Sequence, residues 1–259
     1  MSFTSGAFLA FVLGTLLVYY LAPARLRWVV LLVASYGFYL AGGLGAMGYL
    51  LFTTLTTYWA GRALGAINQR REALPREDKA GAEGLKRRKK WVVFVTLAVN
   101  FSLLYLVKYL GVTARLLGLP QPPFELLLPL GLSFYMFQSV GYVIDCYRGK
   151  YPPERNIAKF ALFVSFFPQM VQGPISRFGE LAPQLTAGRG FDADKVKYGV
   201  QLAMWGYFKK LVVADRLAIV VNGILDSPGR WSGPRSGFKS WGWNGSTGWQ
   251  RNPPASGAW

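Results

Sequence analysis

The sequence predicts an all-α protein built as a polytopic transmembrane helix bundle, and three observations carry that expectation. Several apolar runs approach the roughly 20 residues that a helix needs to cross a hydrocarbon core ~30 Å thick. The runs are continuous rather than alternating, and in lipid only a helix or a closed barrel satisfies its own backbone, so they read as helices and not as barrel strands. Charge gathers between the runs: 29 Lys and Arg against 12 Asp and Glu give a net charge of +17 in a chain that is 52% hydrophobic. A soluble nucleic-acid-binding protein can be that basic, but it spreads its charge over a face and holds no such runs. The charge is therefore read as topology, and no nucleic-acid partner is expected. The single cysteine, Cys146, leaves neither an intramolecular disulfide framework nor a CxxC-type zinc site, and no metal ligand is assigned.

Taken in order, residues 3–22 carry no charge before Arg25 and lack the basic leader and small-residue cleavage site of a signal peptide, so they read as a retained helix. Further runs follow at residues 28–40, 44–60, 91–110, 126–144 and 196–221. Residues 62–90 read as one long charged loop. It holds Arg62, Arg70, Arg71, Arg76, Lys79 and the run from Lys86 to Lys90 against Glu72, Glu77, Asp78 and Glu83, which places it in the cytoplasm by the positive-inside rule. Threading outward from there puts the N-terminus outside, Arg25 and Arg27 inside, residues 111–125 with Arg115 outside, and Arg148, Lys150, Arg155 and Lys159 inside. Residues 157–171 are apolar but short, and Pro168 and the Gly173-Pro174 pair interrupt them. Broken backbone at membrane depth is tolerated only where it is buried in protein or lines a cavity, so a re-entrant element is expected there. Lys209, Lys210, Asp215 and Arg216 interrupt the last run with no opposite charge at i, i+4, which suggests that the chain dips to a cytoplasmic interface and returns.

The run 126–144 is the most informative. At 100° per residue, Tyr135, Gln138, Ser139, Tyr142, Asp145 and Cys146 fall within one arc, while Phe134, Met136, Phe137, Val140, Val143 and Ile144 fill the rest. Lipid offers no partners to such a stripe, so it faces either neighbouring helices, with hydrogen bonds between spans, or a cavity.

Three ordered motifs carry a family resemblance: residues 129–148 (PLGLSFYMFQSVGYVIDCYR), 166–177 (FFPQMVQGPISR) and 206–217 (GYFKKLVVADRL). They resemble consecutive signatures of the membrane-bound O-acyltransferases, and among these the bacterial alginate O-acetyltransferases and their polysaccharide-modifying relatives. The resemblance runs from near the N-terminus to about Asn222. It implies an incomplete portion of a multi-helix bundle in the bacterial inner membrane that moves an acyl group from a cytoplasmic donor, acetyl-CoA or an acetylated carrier, towards hydroxyls of an exported polysaccharide. The lipid bilayer, the polysaccharide acceptor and partner acetyltransferase subunits are the implied partners, and no resident cofactor is expected. Tyr135, Gln138, Tyr142, Asp145, Gln169, Gln172 and Arg177 are the candidate substrate-binding residues. Gln169 and Gln172 stand i, i+3 among prolines, where they can donate to a substrate oxygen or satisfy backbone carbonyls that the prolines free. Arg177 can hold a donor phosphate or snorkel to lipid headgroups.

The chain departs from this family in two respects. A hydroxyl needs a positioned base to attack an acyl group, the family's base is a histidine in the later half of the bundle, and this chain contains no histidine. No catalytic residue is assigned, and the chain itself is expected to be inactive. Composition also changes abruptly near residue 227: residues 229–259 contain no Leu, Ile, Val or Met. Residues 1–222 are accordingly read as the membrane portion and residues 223–259 as a disordered tail or the product of a frame slip in a GC-rich gene. The alternative function is a non-catalytic membrane assembly or export subunit.

Overall fold

A computed structural model describes residues 5–41, 43–75, 78–118, 131–170, 173–226, 241–244 and 248–251. Eleven α-helices occur among them: α1 Gly6–Leu21, α2 Arg27–Leu40, α3 Leu44–Glu72, α4 Lys79–Lys108, α5 Leu110–Leu116, α6 Leu132–Arg148, α7 Ile157–Ser165, α8 Phe167–Met170, α9 Phe178–Thr186, α10 Ala193–Phe208 and α11 Asp215–Asp226. A π-helical turn, Lys209–Ala214, joins the last two. The described part of the C-terminal segment forms an antiparallel pair, β1 Trp241–Asn244 and β2 Gly248–Arg251, with Trp243 opposite Trp249. The rest of residues 227–259 lies outside the described residues.

Contacts divide the chain into two units, Leu17–Arg189 and a second made of Met1–Leu16 with Gly190–Trp259. In the first unit α3 is the hub, packing against α2, α4, α6 and α7, and α7 packs in turn on α2, α6 and α9. Its core is set by Leu50 and Leu64 of α3, Tyr135, Met136, Tyr142 and Val143 of α6, and Phe160, Leu162 and Phe163 of α7, all buried. Several polar residues of α3 and α4 that share this interior are satisfied by backbone one turn upstream, whereas the buried Thr53 hydroxyl has no partner among the described residues. Thr54 donates to the Leu50 carbonyl at 2.7 Å, Thr57 to the Thr53 carbonyl at 2.6 Å and Asn100 to the Thr96 carbonyl at 2.8 Å. Local bonding of this kind lets hydroxyls and amides sit in an apolar interior at little cost.

Two close approaches fix the hub. A Cβ at Gly61 would stand 2.6 Å from the Tyr142 ring, and one at Gly65 would overlap Pro153, so α3 meets α6 and its following loop through glycine. At the other end of the unit Arg27 ties chain ends together. Its guanidinium donates to the carbonyls of Ala22, Gly188 and Arg189 and lies over the rings of Tyr19 and Tyr20.

Two sequence expectations are corrected here. Residues 62–90 are not a long loop: α3 continues to Glu72 and α4 begins at Lys79, its N-terminus capped by the Asp78 carboxylate accepting from the Gly81 amide at 2.8 Å. The segment is rich in Ala, Leu, Glu, Lys and Arg, which are strong helix formers whatever their charge. Likewise the run 196–221 does not break at its charged residues. The helix passes through them, and the π turn brings Lys210 to Asp215 at i, i+5, with 3.1 Å between Nζ and Oδ1. Among the described residues one helix, Lys79–Lys108, is long and apolar enough to cross a membrane, and Gly6–Leu21, Arg27–Leu40 and the α7–α8 stretch Ile157–Gln169 are apolar but shorter. Large apolar side chains, among them Leu13, Leu17, Val33, Trp59, Phe94, Met204 and Ile219, are exposed.

Candidate functional site

The site grows from the inner face of α6. Gly131 and Gly149 bound this helix, both left-handed with φ of 76° and 72°. The arc read from the sequence is turned inward: Tyr135, Gln138, Ser139, Tyr142, Asp145 and Cys146 are all buried, whereas Phe134 and Phe137 point outward.

α7 explains Gln138. Pro168 has no amide to donate, so the apolar helix ends at Ser165, and the Phe167 amide bonds the Ser35 hydroxyl of α2 at 3.3 Å instead of a carbonyl one turn back. The Phe163 carbonyl then accepts from Gln138 Nε2 at 3.0 Å. Gln138 thus does what the sequence suggested for Gln169 and Gln172, satisfying a carbonyl beside the proline break. Gln169 itself donates to the Ser176 hydroxyl at 2.6 Å, and its buried Oε1 has no partner among the described residues. Gln172 lies outside the described residues.

Asp145 is 7% exposed and held on both oxygens. Lys150 Nζ lies 3.0 Å from Oδ1, and the Tyr151 hydroxyl donates to Oδ2 at 3.2 Å. The turn after α6 makes this possible. Gly149 and Lys150 donate to the Cys146 and Asp145 carbonyls, closing the helix in a left-handed cap that swings Lys150 back over the last turn. Burial, and next the Asp145 carboxylate, push the Tyr151 phenol above its ordinary range, so it remains a hydrogen-bond donor at neutral pH. Tyr142 accepts from the Glu154 amide at 3.0 Å, and its ring packs against Phe160 and Phe178 with centroids 4.6 and 4.9 Å away. Tyr135 sits higher on the same face, 6.2 Å from the Tyr39 ring, its buried hydroxyl without a partner among the described residues.

A cavity of about 200 Å³ opens between α6 and the extended segment after α8. Gln138, Tyr142 and Asp145 line one wall and Ile175, Ser176 and Arg177 the other. The structure therefore brings Gln138, Tyr142, Asp145 and Arg177 to one cavity, places Gln169 behind it through Ser176, and leaves Tyr135 deeper in the helix packing. Chemically the cavity offers a guanidinium, hydroxyls and an amide, which are groups that orient an oxygen-rich substrate. Lys150, Tyr151 and Ser176 were missed as members of the site. Gly149 after Arg148 was the available signal for the first two, because a glycine just past a helix end announces a reversal of the chain.

Comparison with known proteins gives the context. No protein-family profile matches the chain. The "Probable alginate O-acetylase AlgI" of Pseudomonas syringae pv. tomato is 35% identical over 231 residues, 86% of this chain and 42% of that protein. The protein of the same name from Azotobacter vinelandii is 35% identical over 86% of this chain and 43% of its own length. The "Peptidoglycan O-acetyltransferase" of Helicobacter pylori is 30% identical over 158 residues, 49% of this chain and 30% of that protein. The chain spans less than half the length of the curated relatives it matches. Over that span it is a relative of bacterial O-acetyltransferases of the membrane-bound O-acyltransferase type, the family that its three motifs resemble.

Proposed function

We propose that the chain is the membrane-embedded part of an O-acetyltransferase that passes acetyl groups from a cytoplasmic donor, acetyl-CoA or an acetylated carrier, to hydroxyls of an exported polysaccharide such as alginate. The observation that carries this reading is the similarity over 86% of the chain to proteins named for alginate O-acetylation. The cavity supports it with named groups. Arg177 holds an anionic or carbonyl oxygen of donor or acceptor, and Tyr142 and Ser176 bound the space where a sugar would lie. The exposed apolar side chains of α1, α4, α10 and α11 support a multi-pass inner-membrane location, since a surface so apolar is covered by lipid or protein. The proline-broken α7–α8 segment is then the re-entrant element that lets backbone approach the cavity.

On this reading the chain by itself is inactive. It has no histidine, and the carboxylate at the cavity has both oxygens engaged. These two observations also favour the second reading, a non-catalytic assembly or export subunit. A chimera separates the two: residues 1–222 replace the matching part of an alginate O-acetylase in cells that make alginate, and acetyl esters on the polymer are counted. Esters should persist, and Arg177→Ala in the chimera should reduce them by roughly tenfold or more, as expected for loss of a charged hydrogen-bond donor. Full acetylation with Arg177→Ala would remove the assigned role, and no acetylation in a chimera that reaches the membrane intact would favour the non-catalytic reading.

A further inference from the structure

A larger cleft, about 600 Å³, lies between the C-terminal end of α3, Lys89 in the third turn of α4 and the turn after α6. Asn68, Arg71, Glu72, Lys89, Arg148 and Lys150 are among its lining residues. Four of these are cations and one is a carboxylate, and Glu72 is exposed and makes no ion pair among the described residues. Lys150 is engaged with Asp145, so Arg71, Lys89 and Arg148 face the cleft against the single carboxylate of Glu72 and leave it with an excess of positive charge.

Lys89 carries the argument. It belongs to the basic run of α4, and its neighbours Lys86, Arg87, Arg88 and Lys90 are exposed, as residues that only set topology or meet lipid headgroups would be. Lys89 alone is turned inward, 7% exposed, with its ammonium 4.8 Å from the centroid of the Tyr147 ring and no carboxylate in ion-pair range among the described residues. Its stem is packed inward while its ammonium reaches the cleft with no counter-ion beside it, and an aromatic face offsets only part of the cost of drawing that charge away from water. Such a cation inside a polar cleft is suited to meet an anion, and the cleft, about 600 Å³, has room for one with an organic body.

We propose that this cleft binds a phosphate ester, with Lys89 at its floor and Arg71 and Arg148 on its walls. A phospholipid headgroup and the phosphates of a coenzyme A-type donor share that chemistry. Lys150 lines the cleft and pairs with Asp145, which lines the smaller cavity, and through that pair would transmit occupancy of the cleft to Asp145.

Binding is measured on the intact chain in detergent with two probes, coenzyme A and a short-chain phosphatidylglycerol, against phosphatidylcholine at equal concentration. At least one anionic probe should bind, and Lys89→Gln with Arg148→Gln should weaken it by about tenfold or more, while Lys86→Gln with Lys90→Gln, equal in charge change but exposed, should alter it less than about threefold. Saturation by coenzyme A would identify a donor site, and binding of phosphatidylglycerol alone a lipid site. Failure of both anionic probes, binding of phosphatidylcholine as tight as phosphatidylglycerol, or equal losses in the two double variants would overturn the proposal. Gel filtration and melting temperature report folding. Should the Lys89 variant fail there, Arg148→Gln alone, at an exposed residue, must still weaken binding by about threefold or the proposal falls.

Discussion

Tyr142 is where the tightest packing and the candidate chemistry meet. Its ring lies against the bare backbone of Gly61, and its hydroxyl takes the Glu154 amide that begins the loop carrying Asn156, the cap of α7. Gly61→Ala should therefore destabilise the protein by about 1–3 kcal/mol, because the added methyl must push a ring that the aromatic cluster holds on its other side. Tyr142→Phe should cost about 1–3 kcal/mol by leaving the Glu154 amide without its acceptor. Thermal melting in detergent checks both, and wild-type melting temperatures would show that α3 and α6 do not meet as described. Asp145→Asn removes the partner of Lys150. With Lys150 38% exposed the expected loss is only about 1–2 kcal/mol, below that of a fully buried pair. At this scale the inward arc of α6 was legible, since period and polarity alone assign Tyr135, Gln138, Tyr142 and Asp145 to one face. Their partners were not. That Gln138 would take a carbonyl of α7 depends on the Phe167 amide going to Ser35, a contact between residues 132 apart that no local pattern encodes.

At the scale of elements, the apolar runs located α1 and α2 to within a few residues, α6 begins later than residue 126 and runs on past 144 to Arg148, and hydropathy hid the true lengths of α3 and α4. Charge was taken as loop, whereas Lys, Arg and Glu extend a helix into water as readily as Leu continues it in an apolar layer. Only the short stretch around Pro75 separates the two helices, and the proposed topology puts it in the cytoplasm. A reporter fused at Leu74 should be active only as a cytoplasmic reporter, and an active exported reporter there would invert the threading. The N-terminus of α10 offers a pH test. Asp192 caps it, and hydrogen bonds from the Lys195 side chain and amide hold its carboxyl below the usual range. A depressed folded pKa contributes stability that is present above the unfolded value, ~3.9, and is lost as pH falls through the folded value. Hydrogen exchange in the first turn of α10, corrected for intrinsic rate, should be flat from neutral pH to about 5 and rise below about 4. Asp192→Asn should abolish that dependence, and its persistence in the variant would assign the effect elsewhere.

For the whole molecule, ancestry was more legible than mechanism. Three short motifs in fixed order resembled one acyltransferase family, and relatives 35% identical over 86% of the chain bear that out. The first motif contains the inward face of α6, the second α8 and the far wall of the cavity, and the third the π turn between α10 and α11. The proposed reaction is harder to read, because it needs a positioned base and the sequence has no histidine to supply one. The central proposal is that the chain holds a substrate cavity without the group that activates a hydroxyl. The most direct test is acetyl-ester formation on alginate by the purified chain in detergent, supplied with acetyl-CoA. General base catalysis supplies about 10²–10⁴-fold, so the account predicts esters no higher than a boiled control. Ester formation well above that control would contradict it.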